Sequence, residues 1–391
     1  MGTLDGLTVI DASWGRAGPM ATGLLADHGA DVVRVEPPGG DPYRHVVSRA
    51  AYDRGKQSLV LDLRTAEGAT AMDRLLDGAD VFVQSWQPGT AERLGLGYDA
   101  VHARYPRLVY CAITGYGIDG ALAGRKGYES LVAARVGTMT MPSAQGQDGR
   151  PVYPGVPIGG IGAGLLAVIG IMAALVERES TGEGQRVDTS IYDGALSFLN
   201  MFWEGLENLP DEAPGQAAAR TPRRFIMGSM RCADGEYLGV HTGAAGSFNR
   251  LMDALELSDR VPPPPGNREK VVPLTDEEAA VVRDEVPRVF ASQPRAHWLA
   301  RLRAYDVCAI PVLRPGEALS EPQSVYNHVV VELDDPDVGK VAEVGVASRM
   351  ADPGHVGGPA PVPGQDTDAV LARVGYTREQ IEGLRRSGVV E

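Results

Sequence analysis

The chain has 391 residues, of which 43% are hydrophobic and 23% are charged, as is typical of a soluble globular protein with two or three hydrophobic cores. Its formal net charge of -14 argues against a general affinity for nucleic acid, because neutralising phosphates requires an excess of Lys and Arg. An anionic ligand must therefore be bound by a local cluster of basic side chains.

Cysteine usage and the terminal and apolar segments indicate the environment of the protein. The three cysteines are far apart, without a CxxC pair or neighbouring histidines, which predicts reduced thiols in a cytoplasmic protein. The N-terminal residues show no basic region followed by an apolar run, so we expect no secretory signal. Residues 155–176 are uncharged and long enough to span a membrane, but Gly and Pro fill their first third. We therefore predict a buried core helix there and no membrane association.

Strand-like and helix-like patterns alternate along the first half of the chain. Residues 7–11 form a β-branched run, a turn with Gly and Pro follows, and a helical pattern at 21–29 precedes a second run at 31–35. A strand, a helix and a strand within about 30 residues indicate a βαβ unit with parallel pairing. Further apolar runs with strand character are found at 58–63, 81–84 and 108–114. The sequence therefore predicts an open α/β sheet with helices on both faces.

The second half of the chain is less regular. An apolar helical stretch begins near residue 161, and a strand followed by a helix is predicted for 186–203. The stretch that follows is rich in Pro, Ala and charge, and consecutive prolines occupy 262–265. This change in composition indicates a smaller second domain after a linker.

Several common catalytic and nucleotide-binding motifs do not occur in the sequence. The turn after the first strand reads SWGRAGP at 13–19, without GxGxxG, so NAD binding is not expected there. Its backbone N–H groups and the start of the next helix still suit a diphosphate, although Gly18 and Pro19 can also serve only to begin the helix. There is no Walker loop, GxSxG or HExxH, and the histidines are scattered. We therefore expect neither a metal site nor a serine hydrolase.

Seven segments spread over the chain form a recognisable series. The first three are AGPMATGLLADHGADVVRVEPPGGDPYR at 17–44, DRGK at 53–56 and QPGTAERLG at 87–95. The others are GYE at 127–129, LLAVIGIMAALVERESTGEGQRVDTSIYDG at 165–194, CAIPV at 308–312 and GPAPVPGQDTDAVLARVGYTREQIEGL at 358–384. In this order they resemble the signatures of the family III CoA-transferases, also called the CaiB/BaiF family, which includes formyl-CoA and crotonobetainyl-CoA transferases.

The resemblance implies an α/β fold with a large, Rossmann-like open parallel-sheet domain. This CoA-binding domain would comprise residues 1–208 and be completed by 326–391. A linker at 209–220 would lead to a smaller α/β domain at 221–325. The resemblance also implies an interlocked homodimer. The expected partners are coenzyme A or an acyl-CoA as substrate and a small carboxylate, with no metal, nucleic acid or membrane.

The resemblance further matches several residues to CoA-binding positions. The phosphates of the 3'-phospho-ADP part would receive charged hydrogen bonds from basic side chains, namely Arg54, Lys56, Arg93 and Lys126. The backbone at Arg16 and Ala17 would follow the pantetheine chain. The sequence departs from the family in two places. Pro37 stands where many relatives have a basic residue, and residues 85–87 read Ser-Trp-Gln where Asn-Phe-Arg is common.

By the same resemblance, Gly160 occupies the position of the catalytic aspartate, in the stretch PIGGIGAG at 157–164. In the family, that aspartate attacks an acyl-CoA thioester to give a mixed anhydride, and CoA then forms a thioester with the enzyme. The group must be a carboxylate because it serves as both nucleophile and leaving group. Gly160 has no side chain to acylate. Racemase members use this aspartate and a histidine at the position of Tyr128, so racemisation is not expected.

Three interpretations of the function follow. In the first, Glu129 takes over covalent catalysis, unless it only anchors a loop or helix by hydrogen bonds. In the second, the chain is a non-catalytic subunit paired with an Asp-bearing relative in a heteromer, or a binding protein for CoA thioesters. In the third, it is a non-covalent isomerase, lyase or cyclase in which helix N–H groups stabilise an oxyanion and Tyr128 is the acid. The hypothesis that Gly160 opens space for a larger ligand rests on four glycines together, Gly159, Gly160, Gly162 and Gly164.

Overall fold

The structure is a computed structural model that describes residues 2–44, 46, 49–140, 149–201, 223–266, 271–336, 338–346, 348, 350–351, 354 and 356–391. The chain divides into two compact units. The larger unit contains residues 1–202 and 321–391, and the smaller unit contains residues 203–320. The predicted linker at 209–220 lies outside the described residues.

The larger unit is built around a six-stranded parallel sheet. In chain order the strands are β1 (Thr8–Ala12), β2 (Asp31–Glu36), β3 (Gln57–Val60), β4 (Val81–Gln84), β5 (Val109–Thr114) and β6 (Arg186–Ser190). Their order in the sheet is β3-β2-β1-β4-β5-β6. The chain therefore begins in the middle of the sheet, builds one half outward, and returns beside β1 to build the other half. This is the Rossmann-like, doubly wound order that the family resemblance implies.

Helices connect these strands, and their ends follow the local sequence. In chain order they are α1 (Ala17–Asp27), α2 (Arg49–Asp53), α3 (Ala66–Asp77), α4 (Thr90–Arg93), α5 (Tyr98–Arg104), α6 (Glu129–Arg135), α7 (Ile158–Thr181) and α8 (Ile191–Ser197). Helix α3 begins after Thr65, whose hydroxyl accepts a hydrogen bond from the N–H of Gly68 at 3.0 Å. Helix α7 is followed by Gly182, whose φ of 76° lies in the left-handed region that favours glycine.

The smaller unit combines helices with a three-stranded antiparallel sheet. Its strands are β7 (Met227–Arg231), β8 (Tyr237–His241) and β9 (Cys308–Pro311), in that order across the sheet. Its helices are α9 (Ser247–Ala254), α10 (Asp276–Asp284), α11 (Val286–Phe290) and α12 (Arg295–Ala304). Phe248, Phe290 and Trp298 are buried in its core, and the indole N–H of Trp298 donates to the carbonyl oxygen of Phe290 at 2.8 Å. The smaller unit thus has a hydrophobic core of its own.

The last part of the chain belongs to the larger unit. It comprises α13 (Pro322–Tyr326), β10 (Val330–Asp335), β11 (Gly339–Val344), α14 (Thr367–Arg373) and α15 (Arg378–Arg386). Strands β10 and β11 form an antiparallel hairpin. Close to the C-terminus, the carbonyl oxygen of Val389 accepts a hydrogen bond from the N–H of Asp62 at 2.8 Å. The chain end therefore lies beside the segment that follows β3.

Both faces of the parallel sheet are buried, because successive side chains of a strand point to opposite faces. Ile10 of β1 belongs to an apolar cluster with residues of α3, α14 and α15. Its neighbour Val9 belongs to a second cluster with residues of α1 and α7. The α/β fold predicted from the sequence is confirmed by this arrangement.

Helix α7 is buried on one side and exposes apolar side chains on another. Among the described residues it is the one helix that is long and apolar enough to cross a membrane by length and composition. Half of its most apolar 18-residue stretch is buried within the chain. It packs closely on α8, because a Cβ atom on Gly194 would lie 2.3 Å from the backbone N of Ala163. In contrast, Ile169 and Val176 are 65% and 70% exposed. The predicted core helix is therefore only partly covered by its own chain.

Candidate functional site

A cavity of about 790 Å³ lies at the carboxyl-terminal edge of the parallel sheet. Segments at the ends of three strands contribute to its wall, namely 14–17 after β1, 85–88 after β4 and 114–115 at the end of β5. Strands β1 and β4 are neighbours, and the direction in which strands are added reverses between them. The crevice outside such a reversal is the usual ligand site of doubly wound sheets. The fold therefore places the candidate site in this cavity.

The cavity wall offers positive charge to a ligand. Its basic side chains are Arg16, Arg49, Arg125 and Lys126. Two of its acidic side chains, Asp41 and Asp53, are ion-paired with the buried guanidinium of Arg34. A third, Glu129, accepts hydrogen bonds from the backbone of α7. The cavity therefore favours an anionic ligand such as a phosphate or a carboxylate.

The carboxylate of Glu129 caps the N-terminus of α7. Its Oε1 accepts a hydrogen bond from the N–H of Gly159 and its Oε2 accepts one from the N–H of Gly160, each at 2.8 Å. Its charge also interacts favourably with the positive end of the helix. The N–H groups of Ile158 and Ile161 donate to backbone carbonyls. In this structure Glu129 anchors the helix, and the first N–H groups of α7 are not available to the oxyanion that the non-covalent interpretation requires.

Gly160 lines the cavity beside Glu129. A Cβ atom on Gly160 would lie 3.1 Å from Glu129 Oε2 and 3.6 Å from Arg16 Cδ. The other three glycines are closely packed against neighbouring atoms. A Cβ atom on Gly159 would lie 2.8 Å from Ile191 Cγ2, and one on Gly162 would lie 2.5 Å from the carbonyl oxygen of Gly194. A Cβ atom on Gly164 would lie 3.0 Å from the carbonyl oxygen of Ala17. Of the four, Gly160 alone lines the cavity. Of the four glycines in the hypothesis of a larger ligand, only Gly160 can therefore provide additional space for a ligand.

Aromatic side chains form much of the remaining wall. They are Trp14, Tyr43, Tyr52, Trp86, Tyr128 and Tyr153. Tyr128 is 52% exposed. Burial and then the negative charge of Glu129 raise the pKa of Tyr153, with Arg16 acting in the opposite direction. The phenol of Tyr153 is therefore protonated at neutral pH and can donate a hydrogen bond to a ligand.

Two residues that the resemblance matches to CoA-binding positions are instead buried in ion pairs. The Nζ atom of Lys56 lies 3.0 Å from both Asp11 Oδ2 and Asp53 Oδ1, and it also donates to a backbone carbonyl. The guanidinium of Arg54 donates to the two carboxylate oxygens of Asp27 at 3.1 and 2.6 Å. Neither side chain lines the cavity. In this structure the donors of both side chains are occupied within the fold, and their predicted contact with CoA stays a prediction.

The other predicted residues fall into two groups. The structure brings Arg16, Ala17, Lys126, Tyr128 and Glu129 together with Gly160 in the cavity wall. Arg93 is not part of this wall, and its guanidinium donates to Thr90 Oγ1 at 2.8 Å. Residues 85–87 line the cavity and Pro37 does not. The sequence analysis did not predict three further residues of the wall. Arg49 and Tyr153 lie outside the segments that resemble the family. Tyr52 directly precedes the DRGK motif, and this was the only indication in the sequence that it lies near the site.

Comparisons with known proteins identify the family of the chain. Residues 4–367 match the model of CoA-transferase family III, so the chain belongs to the family III CoA-transferases, whose substrates are CoA thioesters. The chain is 29% identical to a succinyl-CoA:glutarate CoA-transferase of Mus musculus, over 100% of this chain and 91% of the relative. It is 32% identical to a succinyl-CoA:mesaconate CoA-transferase of Haloarcula hispanica, over 86% of this chain and 87% of the relative. Its fold is similar to a crystal structure of a CAIB/BAIF family protein from Brucella suis, with a TM-score of 0.77, 26% identity, and coverage of 95% of this chain and 99% of that one.

Proposed function

We propose that the cavity binds an acyl-CoA thioester together with a small carboxylate, and that CoA passes between the two acids without an acyl group on the protein. The observation that carries this proposal is a cationic cavity at the sheet edge with Gly160 in its wall. The exposed side chains of Arg125 and Lys126 suit the phosphates of CoA, because charged hydrogen bonds to phosphate are strong. Gly160, where the resemblance places the nucleophile, has no side chain, and the carboxylate of Glu129 beside it accepts hydrogen bonds from α7.

Covalent catalysis by Glu129 is disfavoured by its hydrogen bonds. Both carboxylate oxygens accept backbone N–H groups of α7. An attack on a thioester would require Glu129 to give up at least one of these bonds, and the bonds also stabilise the negative charge that makes a carboxylate nucleophilic. Glu129 therefore holds the start of α7 in place. The phenols of Tyr128 and Tyr153 line the same cavity and are suited to donate hydrogen bonds to the thioester carbonyl as charge develops on it.

The acids exchanged belong, in this proposal, to the short dicarboxylates. The names of the two relatives contain succinyl-CoA, glutarate and mesaconate. A cavity with several basic side chains can hold a second carboxylate as well as the phosphates of CoA. Succinyl-CoA as donor and glutarate as acceptor are therefore the first compounds to test.

Titration calorimetry with free CoA tests the binding part of the proposal, because it requires no choice of acyl group. We expect saturable binding that Arg125→Ala and Lys126→Ala each weaken about tenfold or more, since each removes a charged hydrogen bond. Arg64→Ala is the matched control, because Arg64 is exposed and lies outside the cavity wall. A protein that does not bind CoA, or one whose binding is equally weakened by all three substitutions, would contradict the proposal.

A second candidate function is that of a subunit in a dimer, either with its own copy or with a related Asp-bearing chain. It is supported by the exposed apolar side chains of Ile169 and Val176 on α7, which a partner chain would cover. Sedimentation of the purified chain is expected to show a dimer. A dimer that binds CoA but transfers it only after co-expression with an Asp-bearing relative would favour the subunit role, and a monomer would remove support from the interlocked homodimer.

A further inference from the structure

Arg16 lines the candidate site and has no anionic partner among the described residues. Its side chain is half-buried, and within the described residues its guanidinium forms no hydrogen bond or ion pair. It lies over the ring of Tyr52, with 6.0 Å from the guanidinium carbon to the ring centroid. Its Cδ atom borders the space above Gly160. A half-buried guanidinium in a cavity is stabilised when an anion satisfies its donors.

We infer that Arg16 binds the carboxylate of the acceptor acid in the space above Gly160, and that this carboxylate is the nucleophile that attacks the thioester. The inference rests on the proposed function, because it requires an acyl-CoA in the same cavity. A substrate carboxylate would then occupy the place in which the resemblance puts a carboxylate of the protein. Arg16 would act as a binding residue that selects acids and orients them.

The space above Gly160 lies between Arg16 and Glu129. A Cβ atom on Gly160 would lie 3.6 Å from Arg16 Cδ and 3.1 Å from Glu129 Oε2, so a group placed there requires a small shift of Glu129. A planar carboxylate can accept two parallel hydrogen bonds from one guanidinium. The carboxylate of Glu129, which lies beside this space, already accepts hydrogen bonds from two N–H groups of α7. The charge of Arg16 therefore remains available to a ligand.

The chemical step needs no co-reactant. The acceptor carboxylate forms a C–O bond to the thioester carbonyl, the C–S bond breaks, and CoA leaves as a thiolate. A mixed anhydride of the two acids remains in the cavity without a bond to the protein. The thiolate then attacks the acceptor carbonyl of the anhydride, and the donor acid leaves as a carboxylate with the bridging oxygen. The products are the acceptor thioester and the donor acid, which carries one oxygen atom from the acceptor.

The binding part of the inference is tested with glutarate titrated into the protein that has been saturated with free CoA. We expect saturable binding, weakened about tenfold to a hundredfold by Arg16→Gln and partly restored by Arg16→Lys. Gly160→Asp should also weaken it, because its own carboxylate would fill the space and pair with Arg16. Arg64→Gln is the matched control and should have no effect. Glutarate binding that is unchanged in both Arg16→Gln and Gly160→Asp would overturn the inference.

The same titration distinguishes the two proposals. If the protein binds CoA but not glutarate, the Arg16 site is refuted and the CoA site stands. If the protein does not bind CoA, the proposed function itself fails. A thermal unfolding midpoint for each variant shows whether a loss of binding reflects a loss of folding.

The nucleophile is identified by oxygen labelling in a single turnover, with the protein in excess over succinyl-CoA and with glutarate labelled by ¹⁸O in both carboxylates. Direct attack predicts one labelled oxygen in succinate for each glutaryl-CoA formed, and no label in the protein. A route through Glu129 predicts unlabelled succinate in the first turnover and one labelled oxygen in the peptide that contains Glu129. That second result, or the absence of glutaryl-CoA from a protein that binds both compounds, would overturn the proposed step.

Discussion

Replacing Glu129 by Gln separates a helix-anchoring role from a catalytic one. The Glu129 carboxylate accepts two hydrogen bonds of 2.8 Å from the first turn of α7. The amide of Gln has the same shape, but only its oxygen can accept a hydrogen bond, and its NH₂ group would face the second N–H donor. The substitution therefore removes one charged hydrogen bond and the negative charge at the positive end of a long apolar helix.

The size of the effect follows from these two losses. A hydrogen bond to a charged group contributes about 1.5–3 kcal/mol, and a charge at a helix N-terminus contributes about 0.3–1 kcal/mol. The free energy of unfolding should thus fall by about 2–4 kcal/mol. For a unit of this size, each kcal/mol lowers the unfolding midpoint by about 2 °C, so the expected decrease is about 4–8 °C.

Thermal unfolding followed by circular dichroism is a suitable assay, with Glu179→Gln as the matched control. Glu179 lies on the same helix, is exposed, and is close to the C-terminal end, where a negative charge is not stabilising. The control should therefore unfold at or slightly above the wild-type temperature. The reasoning is refuted if Glu129→Gln unfolds at the wild-type temperature while CoA transfer is abolished, because that pattern identifies a nucleophile and not an anchor.

Three further predictions concern the larger and smaller units. Gly194→Ala should lower the thermal unfolding midpoint, because its Cβ atom would lie 2.3 and 2.4 Å from backbone atoms. Gly228→Ala is the control and should leave the midpoint unchanged, because no atom lies within 4 Å of its Cβ position. Lys56→Met should lower the free energy of unfolding, measured in urea, by about 3–5 kcal/mol, because the buried carboxylates of Asp11 and Asp53 lose their cation. A smaller loss would contradict the conclusion that Lys56 forms buried ion pairs. Burial raises the pKa of the Asp11 carboxyl, but Lys56 and Arg34 outweigh burial and hold that pKa below its ordinary value of 3.8. Ionised Asp11 therefore stabilises the fold fully above pH 3.8, and this contribution is lost as the pH falls through the lower folded pKa, so Asp11→Asn should flatten the acid limb of the stability curve.

The elements of the fold could largely be predicted from local sequence, because strands and helices depend on residue patterns within one segment. The β-branched runs predicted the positions of the parallel strands, and the strand predicted at 81–84 has the same bounds as β4. The helical pattern was predicted for 21–29, whereas α1 begins at Ala17. Gly18 and Pro19 therefore lie in its first turn, where Pro is tolerated, as one of the two alternatives considered for them predicted. The predicted strand at 58–63 is shorter in the structure, where β3 ends at Val60.

The roles of the charged residues could not be predicted locally, because a charged side chain acquires its role from partners that folding brings near. Lys56 and Arg54 share a sequence motif, yet the fold buries both against carboxylates of other segments. Lys126 and Arg16 have the same types of side chain and line the cavity. The sequence by itself determined the family, the α/β class and the presence of glycine at position 160. Only the tertiary structure decided that Glu129 is bound to α7 while Arg16 has no ion-pair partner among the described residues, because both outcomes depend on contacts between residues distant in the chain.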